Sequence, residues 1–150
     1  MLTQEFVKAT GKLSVVLFDE NGNIKQEQEI PNLVVTAGKN WIASRMKDTG
    51  IPVQMSHMAV GSGTVDPVVG DTTLGSELGR VSLTTAGGTV SNNEVTYSAT
   101  FPAGTGTGAI TEAGIFNAGS GGTMLCRTEF AVVNKGANDT VAISWKILIS

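Results

Sequence analysis

The segment from Val141 to Ile149 constrains the fold most, because its side chains alternate in character. Val141, Ile143, Trp145, Ile147 and Ile149 are large and apolar, and the residues between them are mostly small or polar. A period of two places successive side chains on opposite faces of a β-strand. This segment is therefore predicted to be a core strand with one buried face and one mostly solvated face.

The remainder of the chain is typical of an all-β protein. Its 19 glycines favour tight turns, and its many Thr and Val residues suit a pleated sheet. About eight strand-like segments follow one another without a linker long enough to divide them. The 150 residues are therefore predicted to form a single domain, residues 1–150, folded as a two-sheet β-sandwich.

One segment, at about residues 36–48, has helical spacing instead. Thr36 is a candidate N-cap, and Trp41, Ile42 and Met46 are predicted to lie on one side. A Gly-Ile-Pro sequence follows and is expected to stop the helix. One short α-helix is therefore predicted to pack on the sheets.

An Asn21-Gly22 pair separates the first two strand-like segments. Asn-Gly is a strong hairpin signal, because both residues tolerate a positive φ. Asp19, Asn21 and Asn23 also have the spacing that opens a calcium loop, but Ile30 occupies the position of the bidentate acid. A hairpin turn is predicted here in place of a metal site.

The charge of the chain argues against a nucleic-acid partner. Ten Lys and Arg residues are outnumbered by 13 Asp and Glu residues, and the net charge is -3. Nucleic-acid binding normally requires clustered basic residues. The early apolar run Leu13–Phe18 is too short for a signal-peptide core or a membrane span, so we expect cytoplasmic synthesis and no membrane partner.

The stretch "HMAVGSGTVDPVVGDTTL", residues 57–74, contains the only histidine of the chain. A dinucleotide loop would need a glycine where Asp66 stands, and a phosphate loop would need a nearby Lys. His57, Asp66 and Asp71 are too scattered for a metal site. His57 is predicted to be a strand residue with a hydrogen-bonded ring, and the loop after it a surface connection whose glycines serve turns.

Candidate catalytic groups are few. Cys126 is the only cysteine, so no internal disulfide can form, and its neighbours predict a buried side chain. No Gly-x-Ser-x-Gly motif is present. Acidic residues could meet in space as in a glycosidase, but aromatic residues make up only 5% of the chain. We expect no enzymatic activity, no cofactor and no metal.

Glu112 is the acidic residue most in need of a partner, because it lies within the apolar stretch 109–116. A buried carboxylate is costly without a compensating charge. If a simple hairpin follows this stretch, Glu112 faces the side of Thr128, away from Arg127. A structural ion pair between Glu112 and Arg80 is therefore predicted.

Several segments together resemble a group of structural proteins from tailed bacteriophages. They are "LVVTAGKNWIASRM", "MSHMAVGSGT", "GDTTLGSELGRVSL", "AITEAGIFNAG" and "MLCRTEFAVVNKGANDTVAISWKILI", which cover roughly residues 33–150. The group contains capsid decoration (cement) proteins and related tail and fibre proteins. The resemblance implies a jelly-roll-like sandwich without a cofactor, assembled as a homodimer or homotrimer. It also implies a location on the outer capsid surface of the virion and the major capsid protein as partner.

The first ten residues are a candidate interface arm. Leu2, Phe6 and Val7 are apolar and lie outside the main strand pattern. Such a segment can add to a neighbouring subunit, although an ordinary first strand would have the same composition.

Three alternatives to capsid decoration remain. The first is a tail, collar or fibre component built on the same fold. The second is a carbohydrate-binding module with Trp41, Trp145 or Tyr97 as its stacking platform. The third is an enzyme whose cleft gathers carboxylates around His57.

Overall fold

The computed structural model describes residues 5–47 and 53–150 of the chain. Leu2 of the candidate arm and the last position of the predicted helix lie outside these ranges. The described residues form one α-helix and nine β-strands: β1 (Ala9–Phe18), β2 (Ile24–Val34), α1 (Thr36–Arg45), β3 (His57–Gly61), β4 (Glu77–Ser82), β5 (Thr89–Ser91), β6 (Glu94–Phe101), β7 (Gly108–Phe116), β8 (Met124–Lys135) and β9 (Thr140–Ile149).

The strands form one antiparallel sheet in the order β4-β3-β7-β8-β2-β1-β9-β6-β5. The sheet curls into an open half-barrel. The predicted all-β class with a single helix is confirmed for the described residues. The predicted jelly-roll-like sandwich of two sheets is not confirmed.

Strand β2 explains why two separate sheets do not form. Most of β2 pairs with β1, but its last two residues pair with β8, where Leu33 lies opposite Arg127 and Val34 opposite Cys126. This short ladder joins the two groups of strands that a sandwich would keep apart. A local sequence pattern predicts the strands but not which neighbours they pair with.

The inner face of the half-barrel holds the main hydrophobic core. Strand β9 contributes Val141, Ile143, Trp145 and Ile147, all buried, whereas Lys146 points to solvent. This confirms the strand predicted from the alternation. Other large buried side chains of this core are Leu13, Met55, Met58, Phe101, Ile110, Ile115 and Leu125.

A second, smaller core lies against the other face of β3, β7 and β8. It consists of Val35, Ala59, Leu74, Phe116 and Met124. Leu74 belongs to the long connection between β3 and β4, residues 62–76, which covers this face of the sheet. The connection is therefore part of a packed layer, and charged side chains beneath it are shielded from water.

Helix α1 begins where it was predicted but ends earlier, at Arg45. The prediction of Thr36 as the N-cap is wrong by one residue: Thr36 is the first helical residue, and the N-cap is Val35, which makes no side-chain cap hydrogen bond. Trp41 and Ile42 pack against the main core, as predicted. Met46, the C-cap residue, was predicted on the same side but is 85% exposed.

The β1–β2 hairpin is confirmed. The Asp19 carboxylate accepts hydrogen bonds from the backbone N–H groups of Asn21 and Asn23, each at 2.9 Å. Gly22 has a φ of +82°, the left-handed conformation that glycine adopts without strain. The oxygens of Asp19 thus stabilise a turn, which lowers the pKa of this carboxyl chiefly through the Asn23 N–H.

Candidate functional site

Glu112 is the centre of a buried polar cluster on the outer face of β7. Its carboxylate accepts three backbone hydrogen bonds, from Gly63 (2.6 Å), Gly75 (2.7 Å) and Ser76 (2.8 Å). All three donors belong to residues 62–76, which we call the clamped loop. A single side chain therefore holds both ends of this loop against the sheet.

Arg127 of β8 completes the cluster. Its Nε and Nη2 atoms donate to Oε1 of Glu112 at 3.1 and 3.0 Å. Its Nη1 donates to Asp71 at 2.9 Å, and Nη2 also donates to the carbonyl of Val65 at 2.9 Å. We call Glu112, Arg127 and Asp71 the Glu112 cluster. Both partners of the central pair are buried, and Arg127 ties the middle of the clamped loop to the sheet.

The predicted ion pair between Glu112 and Arg80 does not form. Arg80 instead makes a bidentate contact with Glu77, at 2.7 and 3.2 Å, and donates to the carbonyls of Ala118 and Gly121. Its guanidinium lies 3.9 Å from the centre of the Phe116 ring. The prediction that Glu112 needs a buried cation is correct, but the prediction that Arg80 is this cation is wrong.

A β-bulge is the physical reason for this correction. Phe116 pairs with Met124, but Ile115 pairs with Cys126, so Leu125 is an extra residue in β8. One extra residue moves every later side chain of a strand to the opposite face. Arg127 therefore lies opposite Gly114, on the same face as Glu112. The sequence signal for Arg127 was a charged residue in the apolar run of β8, but the bulge could not be read from it.

The hydrogen bonds decide the ionisation of Glu112. Burial alone would raise its pKa, but the N–H groups of Gly75, Ser76 and Gly63 and the Arg127 guanidinium together hold the pKa below its ordinary value. The neighbouring Glu129 behaves in the opposite way: desolvation and the adjacent Asp66 carboxylate raise its pKa.

Two glycines allow the clamped loop to approach Glu112 closely. A Cβ atom on Gly61 would lie 2.7 Å from Oε2 of Glu112, and one on Gly63 would lie 2.7 Å from its Cδ. Neither glycine has a positive φ. The expectation that the glycines of this stretch serve turns is therefore wrong at these two positions, where the space beside the carboxylate is what matters.

The Glu112 cluster is suited to holding structure. Both carboxylate oxygens of Glu112 already accept hydrogen bonds, and its charge is matched by Arg127. The clamped loop exposes Val65, Val68 and Val69 to solvent. Val69 also accepts a hydrogen bond from the Thr36 N–H at 2.8 Å, which fixes the loop beside the start of α1. The cluster thus presents an apolar loop in a defined conformation.

The structure places His57 and Cys126 as predicted. His57 begins β3, and its Nδ1 and Nε2 atoms lie 2.7 Å from Ser56 Oγ and 3.4 Å from Ser82 Oγ. Cys126 is fully buried, and desolvation raises the pKa of its thiol. Within residues 5–47 and 53–150, no three His, Cys, Asp or Glu side chains are grouped so that they could hold a metal ion.

An apolar groove of about 350 Å³ opens at one end of the half-barrel, and we call it the mouth groove. Of the three aromatic residues considered as sugar platforms, Trp145 and Tyr97 are buried, and Trp41 is half-buried in this groove. The groove is lined by Trp41, Ile42, Arg45, Gln54, Gly87, Val90, Val95, Tyr97, Leu125, Ile147 and Ile149.

No helix in the described parts of the chain has both the length and the apolar character needed to cross a membrane.

Comparison with known families identifies the kind of protein. Residues 27–147 match the family model described as phage tail-collar fibre protein, N-terminal. Comparisons with curated proteins and with solved structures gave no match. The family match supports the expected phage virion structural protein, but it does not support a capsid decoration family. Since the match covers most of the sequence, the chain belongs to the family of phage tail-collar fibre proteins and contains its N-terminal domain.

Proposed function

We propose that this chain is a non-enzymatic structural domain of a phage tail-collar fibre. The observation that carries the proposal is the family match over residues 27–147. The domain is then located at the tail of the virion, and its partners are other proteins of the tail and further copies of itself. It needs no cofactor or metal, and it has no nucleic-acid or membrane partner.

The geometry of the clamped loop supports a role in protein contacts. A loop that is already ordered before binding loses less conformational entropy when it meets a partner. The Glu112 cluster provides this order, and the exposed Val65, Val68 and Val69 provide apolar surface at the position that it fixes. A rigid loop with apolar side chains suits a joint between virion proteins.

The tail assignment replaces capsid decoration as the favoured role. The resemblance implied binding to the major capsid protein on the outer capsid surface, but the family that matches is one of tail-collar fibres. The carbohydrate-binding alternative has little support, because Trp145 and Tyr97 are buried in the core and leave only Trp41 for stacking.

The copy number of this protein in purified particles tests the proposal. Quantitative mass spectrometry would measure its molar ratio to the major capsid protein, with a known tail protein as internal reference. We expect a ratio far below one and close to that of the tail reference. A ratio near one would contradict the tail assignment, because that many copies must cover the shell. Antibody labelling viewed by electron microscopy would locate the same copies directly.

A further inference from the structure

The segment just before β1 carries apolar side chains that its own fold leaves uncovered. Phe6 is 71% exposed and Val7 is 81% exposed. Val7 continues the alternation of Ala9 and Leu13, which both face the main core. A side chain on the core-facing side of a strand is normally buried, but the described residues leave Val7 largely uncovered.

Hydrogen bonds fix the direction in which this segment leaves the sheet. The Lys8 N–H donates to the Ser150 carbonyl at 2.7 Å, and the Ser150 N–H donates to the Lys8 carbonyl at 2.8 Å. Residues before Lys8 therefore continue past the end of β9. The segment therefore runs away from the mouth groove, since that groove is lined by Ile147 and Ile149 within β9. The segment Glu5–Lys8 would have to reverse sharply to enter the groove of its own chain.

The edge strand β5 lies beside the mouth groove and pairs with a neighbouring strand on one side only. Strand β5 lies at the edge of the sheet, and its three residues, Thr89, Val90 and Ser91, are all exposed. Proteins usually protect such an edge with a charge, a proline or a covering element, and β5 contains neither a charge nor a proline. Val90 is 71% exposed and lines the groove. An extended segment could therefore pair with β5 and place side chains in the groove.

The charges of the segment and of the groove are complementary. Arg45 is the charged side chain that lines the groove, where it lies 6.0 Å from the ring of Trp41. The segment carries Glu5 directly before Phe6. In an extended segment Glu5 lies on the same face as Val7, so a docked Val7 would bring this carboxylate towards the groove that Arg45 lines, which favours this pairing over a positively charged partner.

We propose that the segment Glu5–Lys8 of one copy docks into the mouth groove of a second copy of this chain. It pairs along β5, so that Val7 enters the groove against Val90 and Trp41, and Phe6 packs on the opposite face of the edge strand. Because the segment and the groove are different surfaces, the contact is head-to-tail, and a small number of copies can close it into a ring. The proposal deepens the proposed function and rests on its statement that copies of the chain meet, because it names the two surfaces involved; its test does not depend on where on the virion the protein is located.

Sedimentation equilibrium of the purified chain tests the contact. We expect the parent protein to associate reversibly. The double variant Phe6→Ser/Val7→Ser and the groove variant Val90→Glu should each associate at least about a hundredfold more weakly, because the buried apolar area is lost. Ile24→Ser is the matched control. Ile24 is exposed and apolar, but it pairs with Phe18 at the end of β1 that is far from the segment Glu5–Lys8. The Ile24→Ser chain should therefore associate as strongly as the parent.

Mixing the two defective variants distinguishes a head-to-tail contact from a general loss of structure. The Val90→Glu chain retains an intact segment, and the Phe6→Ser/Val7→Ser chain retains an intact groove. An equal mixture should therefore form a 1:1 dimer that neither variant forms alone. Circular dichroism of each variant should match that of the parent.

Two results would overturn the proposal. The first is a parent protein that remains monomeric at every concentration, and the second is full association of either variant. If the parent is monomeric and its tryptophan fluorescence responds to an oligosaccharide, and the response is lost in Trp41→Ala, the groove is a sugar site instead. None of these results depends on the copy number in the virion, so this inference and the proposed function fail separately.

Discussion

At the scale of the residue, Glu112 shows how a carboxylate can be buried in an apolar sheet. Removing a charge from water costs several kcal/mol, and an ion pair alone does not always repay this cost. Glu112 has three backbone hydrogen bonds in addition to Arg127, so its charged form is well solvated by the protein. Its neighbour Glu129 lacks this environment and is destabilised in its charged form by Asp66.

The variant Glu112→Gln should lower the free energy of unfolding by about 3 kcal/mol, because Arg127 is left as a buried charge without its main partner. The amide NH₂ group would also face backbone donors of the clamped loop. Urea denaturation at neutral pH measures the effect. Glu129→Gln is the matched control, since it lies opposite Glu112 in the ladder and should be neutral or slightly stabilising. Equal stability of Glu112→Gln and the parent would show that the cluster contributes nothing.

At the scale of the element, both ends of the clamped loop are held by one carboxylate, that of Glu112. Its backbone is anchored at Gly63, Gly75 and Ser76 by the Glu112 carboxylate, and its middle is anchored through Arg127. The loop is therefore a packed element of the fold, although it contains no helix or strand.

The stability of the parent should fall in acid because of this anchoring. The folded pKa of Glu112 lies below the ordinary value of 4.5, so its contribution is fully present above about pH 4.5. It is lost as the pH falls through the folded pKa. Urea denaturation at a series of pH values would therefore show a difference between the parent and Glu112→Gln that shrinks below about pH 4.5. A constant difference across that range would contradict this assignment.

At the scale of the whole molecule, the half-barrel depends on the join between β2 and β8. Cys126 lies at this join, opposite Val34 in β2 and Ile115 in β7. Its thiol is fully buried, so a reagent can reach it only when strands around it separate. Cys126 is therefore a natural reporter of the opening of the sheet.

We expect Cys126 of the native protein to resist a thiol-reactive disulfide reagent. Burial raises the pKa of this thiol, so little of the reactive thiolate is present near neutral pH. Labelling should proceed at the rate of global unfolding and become fast in concentrated guanidinium. Complete reaction within seconds in native buffer would mean that the join opens independently of the rest of the sheet. Cys126→Ser provides the background rate.

The sequence by itself determined the local features of this protein. Alternation predicted β9, Asn21-Gly22 predicted the first hairpin, and the apolar surroundings of Glu112 predicted a buried charge that needs a cation. These features depend on residues close together in the chain, whose spacing reflects strand and turn geometry directly.

Only the tertiary structure decided which elements meet. The pairing of Val34 with Cys126 makes one curled sheet in place of two. The bulge at Leu125 makes Arg127, and not Arg80, the ion-pair partner of Glu112. Both outcomes depend on strand order and on a one-residue register shift, which change the partners of a side chain without changing the local pattern. Apolar and polar spacing is the same for either register, so the choice is made only when the whole sheet packs.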